Sequence, residues 1–342
     1  MTAHHLRSRG RAPRLEPPRS LVSVLLEAMP RRWPVIALAI SSVVTAHWPT
    51  GGWSARLTAA PPQNPIFSTT SELVVLHATV KDRKGRYVTD LSRDAFTVFE
   101  DKAPQRISFF AGDDAPVTVG LLIDSSGSMQ SNLDLTIAAA RSFVQISNPE
   151  DEIFALAFND EVRPVLPSSA PFTNDAGTLR EALTRAIRAR GRTALYDAID
   201  QGIDYLAKGS HVRRVLVIVS DGGDNASHLT FEQVLRNTLT SNVVIYTVGL
   251  IDEIDDQADP KRLKQLAEET GGEAFRPRDV RQVTRLLPLI ANQIRHSYTL
   301  GYAPTNTERS GTFRRIRIAA KSPTGEPLVV RTRTGYLAGP SR

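Results

Sequence analysis

Two runs of the chain, VTVGLLID at 117–124 and RRVLVIVSD at 213–221, are apolar over almost their whole length. A strand with one wet face alternates polar and apolar residues. A strand apolar throughout has no wet face, so helices must cover both sides of its sheet. The intervening sequence supplies them. NLDLTIAAARSFVQIS, AGTLREALTRAIRA, ALYDAIDQGIDYLAK, FEQVLRNTLTS, PKRLKQLAEET and VRQVTRLLPLIANQIRH all repeat apolar residues at helical spacing. DEIFALAFN, the shorter edge-like VRPVLP, VVIYTVGL and EAFRP supply further strands, and Gly271-Gly272 ends the fifth helix. The alternation runs from 116 to 296 and predicts an α/β fold with a doubly wound, mostly parallel sheet.

On either side the pattern is β alone. ELVVLHATVKD, turning at RKGR, then DAFTVFED and QRISFFAGD occupy 66–115, while SYTLGYAP, TFRRIRIAA and PLVVRTRTGYL occupy 297–338. Neither segment has enough strands to be stable by itself. The two are expected to pair into one small β-sandwich-like unit, with the α/β domain inserted between its halves. Arg315 and Arg317 alternate with Ile316 and Ile318, as on a strand with one solvated face. Arg314, Lys321, Arg331 and Arg333 are read the same way, as solvated cations in preference to an anion-binding surface.

Residues 1–48 read as a targeting segment. Arg31-Arg32 precede an uncharged stretch from Trp33 to Ala46 that ends in the small-residue pattern Val44-Thr45-Ala46. The stretch is short for a membrane span, and the segment is either a signal peptide or an uncleaved signal anchor. Residues 1–28 are long and Arg- and Pro-rich for a leader, which makes Met29 a candidate start. Residues 49–65, rich in Pro, Gly and Ala, read as a linker. The expectation is an exported protein, in the periplasm, at the cell surface or secreted, touching membrane only through that segment. Charge agrees. Residues 1–32 carry seven arginines against Glu16 and Glu27, a net +5, whereas the whole chain is +6. The remaining 310 residues are thus nearly neutral, unlike the folded basic surface of a nucleic-acid binder. Cysteine is absent, which excludes disulfides, thiolate catalysis and zinc held by cysteine.

In doubly wound sheets, ligands bind beyond the carboxyl ends of the strands. Three loops there carry oxygen side chains. In DSSGS, Asp124, Ser126 and Ser128 are two apart, so an extended loop turns them to one side. Thr193, in GRTALYDA, lies just before a helix, and Asp221, in VIVSDGGDN, ends the second apolar strand. Two carboxylates and three hydroxyls, without sulfur or imidazole, make a hard-ligand set that suits Mg²⁺, with Mn²⁺ or Ca²⁺ as substitutes. Two carboxylates only balance the ion's charge, and hydroxyls donate weakly. Such an ion has room for a further anionic oxygen, and the natural provider is an Asp or Glu of a protein partner.

DSSGS, Thr193 and Asp221 together resemble the metal-ion-dependent adhesion site of von Willebrand factor type A domains. The resemblance spans roughly 116–295, and the flanking β segments are similar to those of a bacterial group of exported relatives. It implies direct metal contacts from Ser126, Ser128 and Thr193, with Asp124 and Asp221 acting partly through water. It also implies protein binding in place of catalysis, but not the identity of the partner.

Two rivals are weighed against this. One is a scaffold subunit of a cell-envelope assembly with a structural metal. The other is a serine- or aspartate-based hydrolase, kept in view by His228, seven residues past Asp221. SSGSM lacks the nucleophile-elbow pattern. An Asp124-based phosphatase would want an acid two residues on, where Ser126 stands. His211, His228 and His296 are expected at the surface, Met129 in local packing, and Asp197 and Asp224 in helix capping or loop roles. The oligomeric state is not legible.

Overall fold

The computed structural model describes residues 73–112, 114–250, 259–308 and 310–339; the expected targeting segment and linker lie outside these residues. Strands β1 (Val74–Lys81), β2 (Phe96–Glu100), β3 (Ala103–Gln105) and β4 (Ile107–Ala111) come first. Then follow β5 (Val117–Asp124), α1 (Leu133–Ile146), β6 (Glu152–Phe158), β7 (Val162–Pro164), α2 (Ala176–Ala186) and α3 (Leu195–Leu206). The alternation continues with β8 (Arg213–Ser220), α4 (Phe231–Thr240), β9 (Val243–Gly249), α5 (Pro260–Thr270), β10 (Ala274–Phe275) and α6 (Val283–Arg295). Strands β11 (Ser297–Tyr302), β12 (Phe313–Ala320), β13 (Val329–Arg331) and β14 (Gly335–Leu337) close the chain.

The central sheet has the order β10-β9-β8-β5-β6-β7 and is parallel except for β7, the antiparallel edge. The apolar runs explain this order: β5 and β8 are central, and every residue of β5 is buried. Odd-numbered side chains of β5, such as Val119 and Leu121, pack against α1, α2 and α6, while Leu122 faces α3, α4 and α5. Gly120 has no room for a side chain, since a Cβ there would lie 2.4 Å from the Phe154 ring and 2.6 Å from Leu216.

The flanking strands form two antiparallel sheets, β13-β1-β11-β4 and β14-β12-β2-β3. Each joins strands from both ends of the described chain; Val74 pairs with Tyr302 and Ile318 with Val98. Leu76, Val98, Tyr298, Leu300, Ile316 and Ile318 fill the core between them. Where the chain enters and leaves the α/β domain, Arg295 donates twice to the Asp114 carboxylate, at 2.7 Å each. Among the described residues, no helix is long and apolar enough to cross a membrane.

The C-terminal arginines correct the sequence reading. Arg315, Arg317 and Lys321 are exposed as expected, but Arg314 and Arg333 are only 3% and 5% exposed. Arg314 meets the buried Glu100 carboxylate at 3.1 Å, which also accepts from the Tyr302 and Tyr336 hydroxyls at 2.6 and 2.9 Å. Arg333 donates to the carbonyls of Leu239 (2.8 Å) and Ser241 (3.0 Å), covering the carboxyl end of α4. Arg331, half-buried, pairs with Glu273 and with Gln293 at 2.9 Å. Alternation assigns a side chain to a face of its strand. It carries no information about a carboxylate or an open helix end lying opposite that face.

Candidate metal centre

Strand β5 ends at Asp124, where the chain leaves the sheet in an Asx-type turn: the carboxylate accepts from the Ser126 N–H at 2.9 Å. The other carboxylate oxygen accepts from the Ser220 hydroxyl at 2.7 Å, tying the end of β5 to the end of β8. Ser125 points away, its hydroxyl donating to the Phe158 carbonyl at 2.9 Å, so the loop is pinned to β6 as well. That leaves Ser126 and Ser128 on one side, their hydroxyl oxygens 3.0 Å apart. The Ser128 hydroxyl in turn donates to the Asp221 carboxylate. Asp221 is steadied by the Gly223 N–H at 3.1 Å.

Thr193 arrives on the loop between α2 and α3. The Gly127 N–H donates to the Gly191 carbonyl at 3.1 Å and the Arg190 N–H to the Ser125 carbonyl at 3.0 Å, which binds this loop to the first. Gly191 has φ 74°, and a Cβ there would overlap the Asp160 carboxylate, which instead grips the Arg192 N–H and guanidinium at 3.2 and 3.1 Å. On the other side, the Thr193 carbonyl accepts from the Asn225 and Ala226 N–H groups at 3.0 Å each, and its own N–H donates to the Asn225 side chain at 2.9 Å. Three loops interlock through their backbones. The fold brings Asp124, Ser126, Ser128 and Asp221 into one chain of polar contacts. Thr193 is set beside them by its backbone, and its hydroxyl makes no hydrogen bond among the described residues.

The electrostatics are unfavourable for a site left as protein alone. Asp124 is fully buried, and desolvation, then the neighbouring Asp221 charge, pushes its carboxyl up to about 7. Bonds from Ser220 and Ser126 oppose the shift without cancelling it. None of the leading influences on Asp124 is a cation. A divalent ion among these oxygens would supply the missing positive charge and give the Thr193 hydroxyl a partner. The donors therefore fit such an ion. They do not fit a soft metal: among the described residues, no three His, Cys, Asp or Glu side chains gather at one point.

The surrounding groups take bracing roles. Asp224 accepts from the Ser227 hydroxyl at 2.6 Å and the Tyr196 N–H at 3.3 Å, at the start of α3. Asp197 accepts from the His228 and Leu229 N–H groups at 3.0 Å each and lies 2.8 Å from the His228 ring nitrogen. His228 is thus an exposed ring held by Asp197; among the described residues no imidazole bonds the Ser126 or Ser128 hydroxyl. Met129 is buried in the core. His211 and His296 are half-buried, the latter stacked on Tyr87. Ser220 and Asn225 were not singled out in the sequence. Ser220 looks like one more residue of an apolar strand, and only the neighbouring Asp221 marks the place.

Residues 119–288 match the family model of the von Willebrand factor type A domain. The inserted domain has the type A fold, with a mostly parallel sheet between two helical layers. Solved structures give more distant likenesses. A von Willebrand factor type A protein from Catenulispora acidiphila is 13% identical, over 79% of this chain and 75% of that one, with a TM-score of 0.48. The von Willebrand factor domain of a type V pili tip protein from Porphyromonas gingivalis is 15% identical, over 53% and 95%, with a TM-score of 0.44. An aerotolerance-related membrane protein from Bacteroides fragilis is 16% identical, over 52% and 99%, at 0.41. No curated protein matches the sequence.

Proposed function

We propose that the type A domain is an exported, metal-dependent protein-binding module. Ser126, Ser128 and Thr193 hold Mg²⁺ directly, and Asp124 and Asp221 complete its surroundings, partly through water. Mn²⁺ or Ca²⁺ can take its place, being hard cations that accept the same oxygens. The bound ion supplies a positive charge with a remaining place for oxygen, and an Asp or Glu side chain of a protein partner fills it. This chain's own part is to keep the five donors converged and partly dry. Ser128 is exposed while Asp124, Ser126, Thr193 and Asp221 are buried, so the site opens on one side only.

The observation that carries this reading is the fully buried Asp124 beside Asp221, with hydroxyls around both and no cation among the leading influences. Burying an uncompensated carboxylate costs several kcal/mol, and a divalent ion removes that cost. The test is thermal. The protein is stripped of divalent ions and melted with and without Mg²⁺. At a hundred times the dissociation constant, linkage stabilises by about 2.7 kcal/mol, which raises the melting temperature by several degrees. The parent is expected to show this rise and Asp124→Ala little or none. A parent whose melting point ignores Mg²⁺, Mn²⁺ and Ca²⁺ alike refutes the metal centre.

A further inference from the structure

Immediately beside this centre lies a cavity of 240 Å³ with Ser125 among its lining residues and Asn159, Arg163, Arg188 and Arg190 around it. Three guanidinium-bearing residues border it and no acidic one does. Of the nearby acids, Asp160 holds Arg192 at 3.1 Å, while Glu161, 76% exposed, makes a long 3.8 Å contact with the Arg163 Nε. Arg163 donates to the Asn159 side chain at 3.0 Å. Arg188 spends one nitrogen on the carbonyls of Thr184 and Ile187 at the end of α2, leaving its other N–H groups without partners among the described residues. The Arg190 side chain has no partner among them; only its backbone N–H is engaged, by Ser125.

Charges on a convex surface are each solvated, and such a cluster needs no explanation. Here the three surround one concavity, where their fields add. The concentration is also local, because the chain beyond residue 32 carries almost no net charge. The Arg190 N–H donates to the Ser125 carbonyl, in the very loop that carries Asp124, Ser126 and Ser128, and Ser125, which points away from the centre, lines the cavity.

We propose that this arginine-lined cavity is a second contact point for the protein partner. It receives a second carboxylate, so the domain recognises an acidic segment with at least two Asp or Glu residues rather than a lone acid. The location of the first carboxylate rests on the metal reading above; the cavity itself needs no metal. Guanidinium and carboxylate match in a paired, two-bond geometry. All three arginines are exposed, so a single pair contributes modestly, and the gain comes from their fields adding at one point of the recess.

The test uses the full chain and short synthetic peptides of equal length, with none, one or several aspartates in a Gly/Ser background. Binding is read by fluorescence anisotropy at fixed ionic strength, in Mg²⁺ and in EDTA. In Mg²⁺ the several-aspartate peptide is expected to bind the parent about tenfold more tightly than the single-aspartate one. Arg190→Glu should erase that advantage while weakening the single-aspartate peptide far less, and Arg163→Gln should reduce it. Arg190 is exposed and its side chain has no partner among the described residues, so the fold survives the change, which a melting curve checks. In EDTA the several-aspartate peptide should retain weak binding that depends on Arg190. Equal affinity for the two acidic peptides, or an advantage that persists in Arg190→Glu, overturns the proposal and leaves the metal centre standing. An Arg190-dependent advantage indifferent to Mg²⁺ supports the cavity and removes the metal. Failure of every acidic peptide to bind in Mg²⁺ overturns the cavity proposal and the acidic-partner reading together, while the melting experiment decides the metal centre separately.

Discussion

Asp124→Asn is expected to stabilise the metal-free protein at pH 8, and the size of the gain follows from burial. The carboxyl, ordinarily at 3.8, is pushed up to about 7 in the folded protein. At about 1.4 kcal/mol per unit, the ionised group costs the fold roughly 4 kcal/mol once the pH is above 7. The sign is that of a raised acid: between the two values the folded protein keeps a proton that the unfolded chain has lost. Stability therefore falls as the pH rises through that window and levels off beyond it. From pH 5 to pH 8 the loss is about 3 kcal/mol. Asparagine carries no charge. Its carbonyl can keep the Ser126 N–H, and its amide can donate to the Ser220 oxygen once that hydroxyl turns away. Allowing about 1 kcal/mol for imperfect pairing, the variant should gain about 2–3 kcal/mol at pH 8 in EDTA and little or nothing at pH 5. Urea unfolding of both proteins at both pH values measures this. Subtracting one protein from the other cancels the remaining titrations, such as that of Asp151, which burial raises to about 6. Saturating Mg²⁺ should reverse the ranking at pH 8, since only the parent can use it. Identical pH slopes in EDTA would refute the account of Asp124 as a buried, uncompensated charge.

Thr193→Ala should leave metal-free stability within about 1 kcal/mol of the parent, because its hydroxyl has no hydrogen bond among the described residues, yet shrink the Mg²⁺-induced rise in melting temperature; an undiminished rise excludes Thr193 from the centre. Arg333→Ala strips donors from the Leu239, Ser241 and Gly335 carbonyls and should cost about 3 kcal/mol in chemical denaturation. A surface-like loss under about 0.5 kcal/mol would contradict its burial. His77, on β1, is driven down to about 3 by burial and then by Arg213 and Arg333. Its neutral form is required, so its contribution is complete above pH 6.5 and is lost as the pH falls towards 3; His77→Gln should flatten the acid limb of the stability profile. Gly120→Ala should cost about 1–3 kcal/mol by overpacking against Phe154 and Leu216, read as a lower urea midpoint.

The legible parts of the molecule were those governed by periodicity. Continuous apolarity in β5 and β8 announced a sheet covered on both faces, and alternation in β12 correctly sent Arg315 and Arg317 outward. Asp124, Ser126 and Ser128 were grouped on a spacing of two in an extended loop; Ser128 instead lies in the 3-10 turn Gly127–Ser131, and that turn brings its hydroxyl beside Ser126, while the ends of two apolar strands supplied Asp221. Other features depend on what folding carries to a position from far along the chain. Glu100, in the short strand DAFTVFED, carries no local mark of a partner, yet it receives Arg314 from 214 residues away. Ser220 appeared to be strand filler until the end of β5 came alongside it. The arginines at 188 and 190 were unremarkable on a polar helix end, and only the return of β6 and β7 makes a recess of them.

The braided sandwich has a consequence in time. His77 faces Thr299 across the β1–β11 pairing, a separation of 222 residues. A ribosome adding about 5–20 residues per second needs roughly 10 to 45 seconds to deliver the second strand after the first. Until then β1 presents an unsatisfied edge, and the inserted α/β domain can close first because its neighbouring strands are nearer in sequence. The first strands made are thus among the last to be secured.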